Sequence, residues 1–385
     1  MSLRVVDYQP SHEPAVRAFN SRLLASGTLP FRAPESAPCP NPQMPVPGIE
    51  FRHLVVVDDS GFVRGTYFVR SQPFFVQGKI HRLGQLNAPL SEGIIDKRYA
   101  PVGAVMLSHA LSEWPLMFAT GMGGPDKPLP RMMHAMGWQI LETPFYFLVL
   151  NGKRFLRNIG PLRNSVWRRV AADFLASTGV GGGVIRSMQL ARKRGRFDAR
   201  YARTPIAEFS HWADQIWEAN AGRYSLSAVR NAAYLQFIYP RSERAFYGVQ
   251  VNGAQGPAGW VEMLDCQPLE RSYFGSMRVA ALLDGVGPPE AISSLVHGAI
   301  DAALERNADL IISNQMHEDW TAGLRNAGFW QGPSNYLLGL SKELGRLLGH
   351  LEAARPRIHF NRGDGDGRVN LMAENTETGE QKVAS

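Results

Sequence analysis

The residues whose types and spacing could do chemistry in this chain crowd into one turn, from Ser91 through Glu92, Asp96, Lys97, Arg98 and Tyr99 to Val102, Gly103 and Ala104. A carboxylate such as Glu92 or Asp96 can take a proton from an attacking amine or hydroxyl. Lys97 and Arg98 stand just ahead of a helical pattern, where free N–H groups and the positive end of the helix dipole attract anions. A solvated loop carboxylate is the plainer reading of Glu92. His81 and His109 lie further from the turn, and His109, His134 and His297 fall on helical stretches, where a packed or surface histidine is the simpler expectation. Elsewhere the motifs exclude more than they assign. His317-Glu318 has no second His four residues on, so a zincin site is absent, and there is no Gly-x-Ser-x-Gly elbow or Walker loop. Asp364 and Asp366 alternate with glycines between Arg362 and Arg368, but two carboxylates are too few for a calcium loop, and a tight turn is expected instead.

The elements that must position this turn are written twice. In the first copy, residues 82–95 read as strand, 100–111 as helix, 116–120 as strand, 129–138 as a helix closed by Gly137, and 145–150 as the closing strand. In the second, 278–283 is strand, 289–306 helix, 309–313 strand, 319–329 a helix closed by Gly328, and 336–340 the closing strand. β-Branched and aromatic runs mark the strands. Apolar spacing of three and four marks the helices, as in Ile292, Leu295, Val296, Ala299, Ile300, Ala303 and Leu304. Gly137 and Gly328 sit where a helix end favours the left-handed conformation. Each is followed eight residues later by an aromatic, Phe145 or Tyr336, a spacing that argues for internal duplication. Ahead of each copy lie helices and a hairpin. Residues 11–24 suggest a helix with Ser11 as N-cap, and 54–57 with 62–69 a hairpin turning at Asp-Ser-Gly. Helices at 206–219 and 228–239 precede a second hairpin, 245–250 with 259–264.

At 385 residues and 44% hydrophobic content, the chain suits two domains, each able to bury a core. The division expected is 1–150, a basic helical linker 151–204, a second domain 205–345, and an extension 346–385 with a polar, disordered end from 374. Residues 30–47 hold seven prolines and should be an extended loop. Residues 1–10 carry Arg4 and Asp7 and read as no secretory signal, and no apolar run is long enough to cross a membrane. Two cysteines, Cys39 and Cys266, fit packing roles in a reducing cytoplasm. The charge is uneven. Residues 151–203 hold thirteen Lys and Arg against Asp173 and Asp198, +11 in a chain whose total is +7. Glycines at 179 and 181–183 suggest a flexible break between two basic helices in that segment.

This order of elements resembles two tandem GNAT-type acyltransferase folds, as in FemAB-like aminoacyltransferases and mycothiol-synthase-like proteins, over most of residues 1–150 and 205–341. The resemblance implies an α/β fold class: two GNAT-like acyl-CoA N-acyltransferase folds, each a mixed sheet flanked by helices. In such folds the strand before the major helix splays from its neighbour, and acyl-CoA enters the gap with its pyrophosphate on the helix N-terminus. The turn signature is Arg or Gln, two residues, Gly, one residue, then Gly or Ala. Here Arg98 and Gly103 match with Pro101 in place of the first Gly; in the other register Gly103 is the first Gly, with Ala100 and Val105 at the outer positions. Proline removes a backbone donor. On this resemblance Lys97 and Arg98 would meet the phosphates of acetyl-CoA or another acyl-CoA, with Tyr99, Val102, Gly103 and Ala104 forming the loop. An ordinary strand-to-helix turn is the alternative. In the second copy Gly285 and Gly287 recur, but Asp284 and Glu290 place negative charge where phosphate would sit, so a degenerate copy shaping a substrate cleft is expected. The Tyr that many GNAT enzymes use as general acid falls at Met133 and Leu324. Direct attack of an amine on a thioester then needs a base, for which Glu92 and next Asp96 are the candidates. The stretch from Asn231 to Tyr239 resembles a Leu-x-Trp-Arg-Tyr element of tandem GNAT proteins, with Phe237 and Ile238 in place of Trp and Arg.

The function implied is transfer of an acetyl or other acyl group to an amine or hydroxyl of a small-molecule or lipid-linked acceptor, such as a cell-envelope or exopolysaccharide precursor. A FemAB-like transferase using aminoacyl-tRNA is a second reading, motivated by the basic segment. Few aromatics interleave its cations, which weakens the case for nucleic acid. A third reading is non-catalytic docking on a partner or on an anionic membrane through residues 153–203, where Val166, Val170, Phe174 and Leu175 neighbour Arg168 and Arg169. The placement expected is cytoplasmic, peripheral to the inner membrane face if that segment docks.

Overall fold

The computed structural model describes residues 2–27, 32–38, 46–160, 173–266 and 274–365. Cys39, the stretch expected as the first basic helix with Arg163, Trp167, Arg168 and Arg169, Asp366, Arg368 and the polar tail lie outside the described residues, as does half of the proline-rich loop.

The first copy runs β1 (Leu3–Asp7), α1 (Glu13–Ala25), β2 (Glu50–Asp58), β3 (Val63–Val76), β4 (Lys79–Ser91), α2 (Pro101–Glu113), β5 (Met117–Thr120), α3 (Pro128–Ala135), β6 (Gln139–Glu142) and β7 (Phe145–Val149). Next come α4 (Gly152–Asn158) and α5 (Val180–Arg192). The second copy runs β8 (Ala202–Pro205), α6 (His211–Ala221), β9 (Leu226–Ala228), α7 (Ala232–Ile238), β10 (Phe246–Gly253), β11 (Gly256–Cys266), β12 (Val279–Val286), α8 (Pro289–Glu305), β13 (Leu310–Asn314), α9 (Glu318–Asn326), β14 (Trp330–Gly332) and β15 (Leu337–Leu340). Helix α10 (Lys342–Leu348) and strand β16 (Ile358–His359) follow. Both hairpins form. At the first, the Asp58 carboxylate accepts from the N–H groups of Ser60 and Phe62, and Gly61 takes a positive φ of 80°.

The helices pack as their apolar spacing requires. Val102, Met106, Leu107 and Ala110 of α2 are buried on the first sheet, and Gly65 permits the approach, since a Cβ there would lie 2.7 Å from Val102 Cγ1. On α8, Ala291, Ile292, Leu295, Val296, Ala299 and Ala303 are buried, while Leu304 is half exposed.

The two mixed sheets exchange strands. The first has the order β1-β2-β3-β4-β5-β15-β6, with β9 attached to β3 and β16 to β9. The second has the order β14-β7-β13-β12-β11-β10-β8. Each closing strand therefore sits in the sheet of the other half: Phe147 faces Ile312 across β7 and β13, and Leu338 faces Thr120 across β15 and β5. Only Thr143 and Pro144 separate β6 from β7. A two-residue hairpin needs positive φ at a central residue, which proline cannot adopt and β-branched threonine resists. The chain runs straight on instead. Where the connections cross, Thr143 N–H donates to Tyr336 O at 2.9 Å and Ser334 Oγ to Thr143 O at 2.6 Å.

Several local expectations change. Residues Pro10–His12 form a 3-10 turn, so Ser11 lies inside it and α1 starts at Glu13 without a side-chain cap. Residues 226–228 are a strand, and α7 starts after Asn231, whose Oδ1 accepts from Tyr234 N–H. The glycine run is no break: Gly179, with φ 74°, precedes α5, and Gly181 to Gly183 lie within it. They are needed for contact, since a Cβ on Gly181 would lie 2.5 Å from Leu156 and one on Gly152 2.6 Å from Gly182. The close approach of α4 and α5 outweighs the poor helix propensity of glycine.

Candidate functional site

In the first half, β4 and β5 pair in parallel from Gly84–Met117 to Leu86–Ala119, and the pairing then stops. A register shift against β3 between Thr66 and Phe68 marks a bulge at this point, and Ala88 there holds a φ of 43°. A non-glycine residue in that region is uncommon and clusters at functional sites. Asn87 and Pro89 are half exposed and Ala88 is exposed, so the gap beyond the last pair opens to solvent. From Asn87 to Ser91 the strand advances about 13 Å at the ordinary rise per residue, toward the start of α2.

The turn over that helix start is braced from below. Glu92 is 3% exposed, and its carboxylate accepts from Arg22 Nε at 2.7 Å, Arg22 Nη2 at 3.1 Å and Arg64 Nη1 at 3.0 Å. Arg64 also pairs with Asp58 at 2.7 Å and lies over the Tyr99 ring, 4.2 Å from its centroid. Glu92 is thus the hub of an ion-pair network. Asp96 caps the short turn of Lys97–Tyr99 by accepting from Arg98 N–H, and its carboxylate also holds the Arg98 guanidinium at 2.6 Å. That bond, with the Arg98 charge, keeps Asp96 below its ordinary pKa. Lys97 and Arg98 project into solvent, and Ala104 is exposed. Val102 is fully buried, so only its backbone can face a ligand, and Gly103 rests beside Met132 of α3. No side chain caps α2, and Pro101 occupies its first turn. The structure thus gathers Asp96 to Ala104 around one helix N-terminus, while Glu92 turns inward to Arg22 and Arg64. Met133 and Leu324 are fully buried.

The equivalent gap of the second half is closed by the chain itself. Strands β12 and β13 pair from Val279–Leu310 to Leu282–Ser313. Beyond that pair the whole of β12 remains buried. The segment around β16 fills the space: His359 Nε2 meets Gly285 O at 2.9 Å, Met316 N–H donates to Phe360 O at 3.1 Å, and Asn361 Nδ2 donates to Asp284 Oδ1 at 2.7 Å. Because a carbonyl only accepts, His359 carries its proton on Nε2. Burial holds its pKa well below the ordinary value. Trp320 covers Gly285, where a Cβ would lie 2.5 Å from the indole.

That plug is fastened by charges that sequence reasoning did not connect. Arg230, wholly buried, donates through Nε to both oxygens of Asp284 at 2.9 Å and through Nη2 to both oxygens of Asp364 at 2.8 Å. Tyr239 Oη donates to Asp284 at 3.0 Å, and Asn361 N–H to Asp364 at 3.1 Å. Burial, with the Asp284 charge, pushes Asp364 up to about 6 against the pull of Arg230. The negative charge that makes Asp284 unsuited to phosphate is answered from within the protein. The available signal was three isolated charges in apolar or glycine-rich surroundings, at positions 230, 284 and 364. Among the described residues, no three His, Cys, Asp or Glu side chains come together to hold a metal.

No known family model matches the chain, and no curated protein matches it in sequence. Solved structures do. A GCN5-related N-acetyltransferase from Anabaena variabilis superposes with a TM-score of 0.50 at 11% identity, over 88% of this chain and 72% of that one. The fold is of the GNAT type, laid down twice. A tandem GNAT protein from the clavulanic acid biosynthesis pathway matches at 0.47 and 16% identity, over 88% of this chain and 98% of that one. Saccharomyces cerevisiae N-myristoyltransferase matches at 0.48 and 12% identity, over 88% of this chain and 78% of that one.

Proposed function

We propose that the protein is a GNAT-type N-acyltransferase whose donor, an acyl-CoA, lies in the gap of the first half. The observation that carries this reading is the difference between the two gaps: the first opens at Asn87 to Pro89 beside an uncapped helix, and the second is filled by residues 358–361. Lys97 and Arg98 would meet the donor phosphates, and the N–H groups of Val102, Gly103 and Ala104 the pyrophosphate. The pantetheine arm would follow β4 toward Asn87, bringing the thioester to the opening at Asn87 to Pro89, short of Thr120, on which Gly365 packs. There the acceptor nitrogen attacks the carbonyl carbon, the C–S bond breaks, and the thiolate leaves as CoA, taking up the proton lost by the amine. Glu92 and Asp96 stand at the phosphate end of the gap. In this reading Glu92 sets the shape of the loop through Arg22 and Arg64, and Asp96 orients Arg98. The acceptor would carry an amine, or in a variant of the same chemistry a hydroxyl, and a lipid-linked or cell-envelope precursor is the finer form of the proposal.

Isothermal titration with acetyl-CoA and longer acyl-CoA tests it. Arg98→Glu should weaken binding by about tenfold or more, since it replaces a phosphate-binding cation with a carboxylate that repels the donor. Gly103→Trp should abolish it. Absence of heat with every acyl-CoA and with free CoA would refute the proposal.

A further inference from the structure

Helix α5 carries two faces that the core leaves unequal. Its inner seam, Gly181, Ile185 and Gln189, lies against α4 and the body of the second half, with Gly181 and Gln189 buried. Its outer side presents Val180, Val184 and Met188, spaced by four residues and 58%, 52% and 53% exposed. Leu190 at 58% and Phe174 at 65%, the latter on the helical residues 173–177 just ahead, are exposed as well. Such spacing places side chains along one line of a helix. Isolated exposed apolar residues need no explanation, but a row of them does.

Cations surround this row. Lys153 and Arg157 of α4, Arg186 and Arg192 of α5, and Lys193 and Arg194 after it are all exposed, and none pairs with a carboxylate among the described residues. Outside residues 151–203 the chain is net acidic, at −4, so the excess of positive charge belongs to the segment that contains this helix. α5 is about 20 Å long at the usual rise, and no helix of the described residues is long and apolar enough to cross a membrane. A short helix with an apolar line between cations instead lies in the plane of a bilayer, its aliphatic side chains among the acyl chains and its cations at the phosphates. A nucleic acid would take the cations but offer nothing to bare Val180, Val184, Met188 and Leu190, because phosphate contact leaves aliphatic groups in water.

We propose that this face, α5 with residues 174–175 and the flanking cations, docks the protein on an anionic lipid surface. The proposal is independent of the donor site, so either can fail alone. The test is cosedimentation of the full chain with phosphatidylcholine vesicles containing about one third phosphatidylglycerol, against pure phosphatidylcholine. Binding is expected only to the anionic vesicles. The exposed pair V184S/M188S should lower the partition coefficient at least about tenfold at unchanged thermal midpoint, and R186E/K193E should lower it further, because each reversal removes one attraction to the anionic lipid and adds one repulsion. Three outcomes overturn the proposal: wild-type protein that ignores both vesicle types, binding unaffected by V184S/M188S, or steeply salt-dependent capture of RNA with no vesicle binding.

Discussion

Replacing Arg230 by Met keeps the length of the side chain and removes the one positive charge between Asp284 and Asp364. All three groups are within 1% of full burial, so no water replaces the guanidinium. Breaking one buried pair by removing a partner costs about 3 to 5 kcal/mol, and two pairs are broken here, at carboxylates that repel each other. The total, roughly 6 kcal/mol or more, matches the whole stability of a modest domain. The sign with pH follows from linkage. Without Arg230 the buried Asp364 loses the charge that pulls its pKa down and binds its proton more tightly folded than unfolded, so the variant should lose stability as pH rises and recover part of it in mild acid. Because Arg230 holds the residue 358–364 segment in the second gap, loss of that segment should come first. Urea unfolding at pH 7 and pH 5, with limited proteolysis of the C-terminal region, reads both effects. A variant that unfolds at the wild-type urea midpoint at pH 7, or one that gains nothing at pH 5, would refute the account of this cluster.

The same cluster predicts a distinct pH dependence for Asp364→Asn. Its pKa of about 6 lies above the ordinary 3.8, so the stability Asp364 contributes is present below the unfolded value and lost as pH rises through 6. Asp364→Asn removes that titration, so the stability difference between variant and wild type should move in the variant's favour as pH rises from about 4 to 7, as measured by thermal melts across that range. Glu92→Gln should lower stability by roughly 3 kcal/mol, because Arg22 and Arg64 lose their shared partner. A fall in turnover with an unchanged melting temperature would instead mark Glu92 as a general base. Residues 1–150 and 151–385 made separately should each lack a cooperative melt by circular dichroism, since β7 and β15 are exchanged, and should regain one when co-expressed. A cooperative melt of residues 1–150 alone would count against the exchange.

Legibility in the sequence followed the range of the interactions. The helix Pro289–Glu305 and the strands around it fall within a few residues of their expected limits, because apolar periodicity and chain punctuation act locally. The first hairpin was equally readable from Asp58 to Gly61. Short strands such as Gln139–Glu142 and Trp330–Gly332 were not, since three or four residues carry no period and take their conformation from the neighbours they pair with. The turn from Asp96 to Ala104 was readable as a helix start with cations, but the inward aim of Glu92 depends on Arg22 and Arg64, some seventy and twenty-eight positions away.

The order of elements, the duplication and the confinement of positive charge to residues 151–203 belong to the sequence alone, because each is a local or summed property of the chain. Which sheet receives each closing strand, and which of two similar gaps stays open, was decided only in three dimensions. Proline at 144 forbids the hairpin that would keep β7 at home, but only the free edge of β13 makes it a home elsewhere. The second gap closes because residues 358–361 find unpaired backbone there and Arg230 bridges Asp284, 54 positions away in sequence, and Asp364, 134 positions away. Burial is what gives that contact its strength, and burial exists only once the chain has folded.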